Sequence, residues 1–295
     1  MALCASVIIP VFNGAATLPD QLKALSAQTH SGEWEVIIAD NGSTDGSAGV
    51  ADRFFSGIPR LRVVDASAHR GTSYARNQGA TVAEGEFLLF CDADDVASPR
   101  WLEAMLEVTR SYDLVGGPFE FATLNTAETR RVSWYSDLPQ LELPLAMRFL
   151  HYAPSGNFGI RNSVLRDLGG WSSRYGYGSG CDGAEDVELC WRAQLADYRL
   201  GFAPEAVMHY RMKRRLWTMV QQRLSCGRAD ARLYRDFRNQ GVPPAEAKEA
   251  LQYWKDLWYT SSELRDPIAR REWMTEAAYR WGRVWGSLRE RVFYP

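Results

Sequence analysis

Short apolar runs alternate with helical patterns along the first hundred residues. The apolar runs are of strand length and cover residues 6–12, 34–39, 61–65 and 86–91. Between the first two runs, Leu18, Leu22 and Leu25 recur at the spacing of one helix face. Parallel strands need crossover connections, which are usually helical, so this alternation predicts an α/β fold with a mostly parallel sheet flanked by helices.

Later segments continue the alternation less regularly. Ser98 and Pro99 stand directly before an apolar helical pattern that starts at Trp101, which predicts a helix with Ser98 as its N-cap. The other expected elements are a strand over 156–161, a helix over 185–195, and a strand that resumes over 199–203 and ends near His209. The sheet is therefore expected to be complete by about residue 211.

The composition is that of a globular protein, but the charge is unevenly distributed. The 295 residues are 46% hydrophobic and 24% charged, and the formal net charge of −2 argues against a basic nucleic-acid-binding protein. Residues 211–295 contain 18 Lys and Arg against 10 Asp and Glu, a net charge of +8, which leaves −10 for residues 1–210. The same tail carries six of the 11 tryptophans, including the i,i+4 pairs Trp254–Trp258 and Trp281–Trp285. It therefore forms a separate basic, aromatic and helical extension.

Cysteine usage and hydropathy suggest a cytoplasmic protein. The five cysteines include no CxxC pair, so neither a disulfide framework nor a structural zinc site is expected. The apolar runs are too short for a membrane-spanning helix, and the first six residues lack the positive charge of a signal peptide.

Acidic residues follow two of the predicted strands. Asp40 ends the second strand, and Asp92, Asp94 and Asp95 follow the fourth. Open parallel sheets bind ligands outside the carboxyl ends of their strands, and carboxylates at i and i+2 can converge on one Mg²⁺ or Mn²⁺ together with phosphate oxygens. Alternatively, Asp94 and Asp95 only make turn and capping hydrogen bonds. The chain has no GxGxxG or GxxxxGK motif, so neither nicotinamide binding nor P-loop chemistry is supported.

Several ordered motifs support a family assignment. They are VIIPVFN at 7–13, IIADNGSTD at 37–45, ARN at 75–77, DAD at 92–94 and GAED at 183–186. In this order and spacing the chain resembles the family 2 inverting glycosyltransferases, which have the GT-A fold of nucleotide-diphospho-sugar transferases. The resemblance covers roughly residues 6–211 and implies a catalytic domain over 1–211, with a nucleotide-binding part to about 117 and an acceptor-side part from 118, followed by the extension over 212–295. One departure is His69, where relatives often carry Asn.

The resemblance implies a donor site and a metal site. The expected nucleotide-sugar-binding residues are Pro10, Val11, Phe12, Asn13, Asp40, Asn41, Gly42, Arg76, Asp92, Ala93 and Asp94. Within this set, Asp40 is expected to accept a hydrogen bond from the base, typically uracil or thymine, and Asp92 to contact ribose and phosphate. Asp94, with Asp92 and His209, is expected to hold Mn²⁺ or Mg²⁺, which stabilises the departing diphosphate.

An inverting transfer also needs one general base to take the proton from the acceptor hydroxyl. Asp186 is the candidate, and Glu185 is the competing assignment because adjacent acids cannot be separated by sequence. Alternatively, both acids have no catalytic role and only stabilise the first turn of a helix. Weaker candidates for contacts with sugar or acceptor are Asn157, Trp171, Tyr175 and Tyr177.

The C-terminal extension has two interpretations. Its aromatic stripes either pack on the catalytic domain, or they meet anionic membrane lipid or a lipid diphosphate acceptor. The QxxRW signature of processive synthases is absent, because Gln221 is followed by Gln-Arg-Leu. Together with the absence of apolar spans, this favours transfer of a single sugar.

The expected function is metal-dependent inverting transfer of one sugar from a UDP- or dTDP-sugar to a hydroxyl acceptor such as a glycan, a lipid-linked saccharide or a small metabolite. A sugar-nucleotide pyrophosphorylase is the enzymatic alternative, but it would carry a Gly-rich basic signature after the first strand. A non-catalytic sugar-nucleotide-binding subunit is the other alternative. It would be expected to lack metal or base residues, whereas Asp92, Asp94, Asp186 and His209 are all present.

Overall fold

The structure is a computed structural model that describes residues 3–54, 57, 58, 60–131, 140–178 and 182–295. The strands in this part of the chain are β1 (Ala5–Val11), β2 (Trp34–Asp40), β3 (Leu61–Asp65), β4 (Phe87–Cys91), β5 (Val96–Ala97), β6 (Leu114–Gly116), β7 (Phe119–Glu120), β8 (Leu145–Ala146), β9 (Leu150–His151), β10 (Asn157–Arg161), β11 (Leu200–Phe202) and β12 (Met208–His209). The α-helices are α1 (Leu18–Ser26), α2 (Ser47–Val50), α3 (Thr72–Val82), α4 (Trp101–Thr109), α5 (Ala127–Arg131), α6 (Asn162–Asp167), α7 (Glu185–Leu195), α8 (Leu216–Phe237), α9 (Ala247–Tyr259) and α10 (Pro267–Glu290). Short 3₁₀ turns cover Ala51–Arg53, Arg238–Gln240 and Thr260–Glu263.

The main sheet is mostly parallel, as predicted. Its seven strands have the order β11-β6-β10-β4-β1-β2-β3. The neighbours pair in parallel except at β10, which runs antiparallel to both β4 and β6. Every residue of β4 is buried, which explains why this strand is a continuous apolar run rather than an alternating one.

Two apolar layers cover the faces of this sheet. Along β1, Val7 and Ile9 point into the layer formed with α1 and α4, whereas Ile8 points into the layer on the other face. This alternation follows from the two-residue period of a strand. Burying each such side chain contributes roughly 1.5–3 kcal/mol to the stability of the fold relative to exposure, so both layers stabilise the sheet.

Two local predictions were wrong. The strand expected to run from 199 to near His209 is two strands, because β11 joins the main sheet while β12 pairs with β5 and β7 in a small three-stranded sheet. Ser98 does not cap α4 with its side chain; Arg100 is the N-cap residue, and Ser98 contributes its carbonyl oxygen to the amide of Trp101. By contrast, the predicted bounds of β3 and α7 are confirmed.

The first C-terminal helix packs on the sheet-bearing part of the chain. Leu233 and Phe237 of α8 join Tyr175 and Trp191 in one apolar cluster. An ion pair of 2.6 Å from Arg228 to Asp182 adds a polar contact. No described helix is long and apolar enough to cross a membrane. Cys4, Cys91, Cys190 and Cys226 are free thiols, and Cys181 lies outside the described residues.

Helices α8 and α10 lie in close backbone contact. Arg223 pairs with Glu276 and Arg232 with Glu290, so the two helices run in the same direction. A Cβ atom added to Gly282 would lie 2.2 Å from the carbonyl oxygen of Leu224. Because the added Cβ would clash with a backbone atom, the clash can be removed only if the two helices move apart.

Gly282→Ala is therefore expected to destabilise the protein by about 1–3 kcal/mol, because overpacking at this contact outweighs the gain of about 1 kcal/mol in helix propensity. Gly49→Ala is the matched control, since Gly49 is also helical but a Cβ there meets nothing within 4 Å. Urea unfolding of the three proteins measures the difference. Equal free energies of unfolding for the two variants would contradict the close contact.

Candidate active site

A buried arginine joins the end of β4 to the start of α7. Arg76 on α3 is only 2% exposed. Its Nη1 donates to Glu185 Oε1 at 2.8 Å, and its Nη2 donates to Asp92 Oδ1 at 3.2 Å and to Ser155 Oγ at 2.9 Å. Burial lowers the pKa of Arg76, but the attraction of Glu185 and Asp92 outweighs it and the pKa is raised. Arg76 therefore stays charged and ties these segments together.

The two adjacent acids of α7 have different environments. Ala184 precedes them with a φ of 71°, a left-handed conformation that is unfavourable for a residue with a side chain. Glu185 is buried in its ion pair with Arg76. Asp186 accepts hydrogen bonds from the amides of Ser155 and Val187, at 3.1 and 2.8 Å. Burial, and then the charge of Glu185, raise the pKa of Asp186 to about 7.

Three carboxylates converge after β4. Oxygen atoms of Asp92, Asp94 and Asp95 all lie within 4.8 Å of one another. Asp95 Oδ2 is buried and has no hydrogen-bond partner among the described residues, whereas Oδ1 accepts the amide of Arg211 at 2.8 Å. Burial, and then the charges of Asp92 and Asp94, raise the pKa of Asp95 well above its ordinary value. An orphaned carboxylate oxygen within an acid group fits a hard divalent cation.

Lys213 also contacts this acid group. Its Nζ donates to Asp94 Oδ2 at 2.6 Å. Neither Lys213 nor the part played by Asp95 was predicted from sequence. The run Asp92-Ala-Asp94-Asp95 was the available signal for Asp95, whereas Lys213 lies more than a hundred residues away along the chain.

His209 lies beside this group but is not part of it. On β12 it is paired in register with Val96, the residue after Asp95. Its Nδ1 lies 2.7 Å from Glu120 Oε2. Partial burial raises the pKa of Glu120, but hydrogen bonds that include those of Thr123 and His209 bring it down to about 2. An ionised Glu120 requires Nδ1 to carry a hydrogen, so the neutral ring keeps a lone pair on Nε2.

A cavity of about 300 Å³ lies at the carboxyl ends of β1 and β2. Its lining residues are Pro10, Val11, Phe12, Asn41, Arg70, Thr72, Ala75, Tyr177 and Gly178. The Arg70 guanidinium carbon lies 3.6 Å from the centre of the half-exposed Phe12 ring, and its Nη1 donates to the Asn41 carbonyl at 2.7 Å. Four of the predicted donor-site residues therefore meet at one cavity or its rim, and Arg70 is an addition to them.

The other predicted donor-site residues order the neighbouring loops. Asn13, with a φ of 53°, accepts the amide of Thr44 at 2.9 Å, and Asp40 accepts the amide of Ser43 at 3.1 Å. Gly42 has a φ of 79°, which favours glycine there. Ala93 packs against the apolar layer beside β1. These four residues do not line the cavity of about 300 Å³; they order the loops next to the residues that do.

A larger cavity of about 600 Å³ opens beside the acids. One side presents Asp92, Ser155, Glu185 and Asp186, and the other side presents residues of α8, α9 and α10. Tyr177 lines both cavities. The candidate general base Asp186 therefore lines the larger cavity, which is joined to the smaller one through Tyr177.

The weaker sugar-contact candidates separate into two groups. Asn157 is fully buried, and its side chain bonds to the Trp101 indole and to the carbonyls of Pro118 and Ala206. Trp171 is packed in the core, and the Tyr175 hydroxyl donates to Asp236. Of the four, Tyr177 alone lines the two cavities beside the acids. The other three side chains support the fold.

Comparison with known families decides the assignment. A family model described as Glycosyl transferase family 2 matches residues 6–169. The chain belongs to glycosyltransferase family 2. Among curated relatives of this glycosyltransferase, Glycosyltransferase AglE of Haloferax volcanii is 31% identical over 207 residues, which cover 68% of this chain and 65% of the relative. Pre-mycofactocin glycosyltransferase of Mycobacterium tuberculosis is 27% identical over 260 residues, covering 84% of this chain and 51% of the relative. The chain thus spans less than two thirds of these relatives.

Solved glycosyltransferase structures share the fold. Mannosyltransferase PcManGT from Pyrobaculum calidifontis, in complex with GDP-Man and Mn²⁺, aligns with a TM-score of 0.59 at 17% identity, covering 98% of this chain and 74% of that one. S. aureus TarS 1–349 in complex with UDP-GlcNAc aligns with a TM-score of 0.56 at 16% identity, covering 99% and 93%. The chain therefore has the GT-A fold predicted from its motifs.

Proposed function

We propose that this glycosyltransferase transfers a single sugar, with inversion and with a divalent metal, from a nucleotide-diphosphate sugar to a hydroxyl acceptor. The proposal rests mainly on one observation, which is that two adjacent acids have different environments. Both acids line the larger cavity, but Glu185 is ion-paired with the buried Arg76, whereas the pKa of Asp186 is raised to about 7. A carboxylate with that pKa is suited to act as a general base near neutral pH.

The donor lies in the smaller cavity in this proposal. Phe12 and Arg70 offer a ring and a planar cation to a nucleoside, and the cavity of about 300 Å³ is of nucleoside size. The solved neighbours hold GDP-Man and UDP-GlcNAc. A UDP- or dTDP-sugar stays our expected donor, with Asp40 bonding the base and Asp92 the ribose and phosphate.

Asp94 and Asp92 are the proposed metal ligands, with Asp95 Oδ2 as an addition and His209 Nε2 as the nitrogen donor. A bound Mn²⁺ or Mg²⁺ would stabilise the negative charge of the leaving diphosphate. Glu120 fixes the tautomer of His209, and Arg76 holds Asp92 at the edge of the acid group. Lys213 adds a positive charge beside Asp94.

Asp186 removes the proton from the acceptor hydroxyl as that oxygen attacks the anomeric carbon opposite the leaving group. The amides of Ser155 and Val187 hold its carboxylate in place. In its ionised form the base has room to receive a hydroxyl from the cavity of about 600 Å³. Glu185, fixed by Arg76, is less suited to this step.

Asp186→Asn is expected to lower turnover by at least about 100-fold while leaving nucleoside diphosphate binding intact, because only the base is lost. Glu188→Gln is the control, since Glu188 lies on the same helix but pairs with Arg192 away from the cavity. The assay measures nucleoside diphosphate release with a sugar nucleotide that gives turnover in a UDP-, dTDP- and GDP-sugar screen.

The wild-type pH profile gives a second readout. Since the active base is ionised and its pKa is raised to about 7, kcat/KM is expected to rise with pH and level off above that value. Wild-type turnover in Asp186→Asn, or a profile that is flat through neutrality in wild type, would remove Asp186 as the base.

We also propose that α10 contacts the surface of an anionic membrane. Trp281, Trp285 and Leu288 are each more than half exposed and recur at i, i+4 and i+7. At helical spacing, Glu272 and Glu290 fall on the opposite side of α10. An exposed aromatic face on a segment of net charge +8 suits a lipid surface that is negatively charged.

Co-sedimentation with phosphatidylglycerol vesicles is expected to retain the wild-type protein and to weaken as salt rises, because charge contributes to the binding. The double variant Trp281→Ala, Trp285→Ala is expected to lose most of this binding. Leu141→Ala, at a residue that is 84% exposed on the sheet-bearing part, is the control. Equal binding to neutral phosphatidylcholine vesicles, or retention of the double variant, would contradict the proposal.

A further inference from the structure

The far wall of the larger cavity comes from outside the segment that matches the family model. That match ends at residue 169, whereas the wall includes Arg223 and Asp230 of α8, Tyr253 of α9, and Tyr279 and Arg283 of α10. The C-terminal helices therefore supply a wall of the larger cavity that the family match does not cover.

Arg283 is the distinctive cation of this wall. Its guanidinium carbon lies 4.5 Å from the ring centre of Tyr294 and 6.0 Å from that of Tyr279. It forms no ion pair or hydrogen bond with any residue in the described part of the chain, and its buried Nε has no partner there. An arginine held between rings, with its donors unused, is arranged to bind an anion.

Asp230, an acid of the same wall, interacts with the charge of Arg283 but is hydrogen-bonded to another residue. Asp230 accepts a hydrogen bond from the Tyr279 hydroxyl. Burial raises the pKa of Asp230, and the charges of Arg283 and Arg223 only partly offset that effect. Arg223 itself pairs with Glu276 at 3.1 Å. Asp230 therefore attracts Arg283 but forms no ion pair with it, and Arg283 lines the cavity.

The opposite end of the same cavity is acidic. Asp92, Glu185 and Asp186 line it there. Tyr177 and Cys226, whose hydroxyl and sulfur lie 3.5 Å apart, also line this cavity. An acceptor that spans the cavity would present a hydroxyl to Asp186 and an anionic group to Arg283. A free anion placed at the acidic end would be repelled.

Building on the proposed transferase function, we infer that the acceptor carries a phosphate or carboxylate group, which Arg283 binds between the rings of Tyr279 and Tyr294. Arg283 thereby determines acceptor specificity without taking part in bond formation. The same arrangement selects against neutral acceptors, because they leave a partly buried guanidinium without a partner.

The test measures binding with the donor site already filled. Protein saturated with Mn²⁺ and UDP, or GDP if that nucleotide binds better, is titrated by calorimetry with glucose 6-phosphate, glucuronate and glucose. Filling the donor site first prevents the probe phosphate from binding where the diphosphate belongs. Wild type is expected to bind both anionic probes at least about tenfold more tightly than glucose, as a charge-assisted hydrogen bond implies.

Arg283→Gln is expected to remove that preference, a loss of about tenfold in affinity for the anionic probes, while nucleotide affinity stays unchanged. Arg280→Gln is the matched control, because Arg280 lies one turn away on α10, pairs with Glu276 and does not line this cavity. Unchanged nucleotide binding also shows that each variant is folded.

Equal affinity of wild type for glucose and the anionic probes would overturn the inference, as would no binding of any probe. So would an Arg283→Gln protein that keeps the preference, or an equal loss in Arg280→Gln. Stronger binding of one anionic probe identifies phosphate or carboxylate as the preferred group. A protein that prefers the anionic probes but binds no nucleotide would instead overturn the proposed donor site.

Discussion

The site depends on one buried cation. Arg76 lies under the carboxyl end of β4 and holds Asp92 and Glu185 with the two nitrogens of one guanidinium, while Ser155 takes a further hydrogen bond. Removing such a charge from water costs several kcal/mol, and the surrounding acids offset that cost. Arg76 fixes the position of the start of α7 relative to the acid group after β4. It also neutralises Glu185, so that Asp186 is the acid at the start of α7 that lines the larger cavity without being paired to Arg76.

The remainder of the molecule is arranged around this point. The parallel strands bring the loops after β1, β2 and β4 to one edge of the sheet, where the smaller cavity lies. The C-terminal helices complete the larger cavity from the other side. Close contact between α8 and α10 at glycine residues keeps that wall in one position. The two cavities therefore share Tyr177, and the helices after residue 211 line only the larger of them.

Much of the fold could be predicted because its signals are local. The buried run of β4, the bounds of β3 and the bounds of α7 follow from hydropathy over a few residues. The separate sheet of β12 could not be predicted, because it depends on pairing with strands about a hundred residues away.

The same limit applies to the site. Its acidic motifs are visible in the chain, but the pairing of Lys213 with Asp94 and of Glu120 with His209 is not. Glu185 forms the ion pair with Arg76 and Asp186 does not, and their adjacency in sequence conceals that difference. The sequence also predicts sugar contacts for Asn157 and Trp171, whereas both side chains are buried in the core. Anomalous diffraction at the manganese edge, from crystals grown with Mn²⁺ and UDP or GDP, tests the central arrangement most directly. We expect one manganese peak within coordination distance of Asp94, bounded by Asp92 and Asp95, with the diphosphate beside it and the Arg76–Glu185 pair intact. Bound nucleotide without manganese at these acids, or with Glu185 released from Arg76 toward the acceptor cavity, would contradict it.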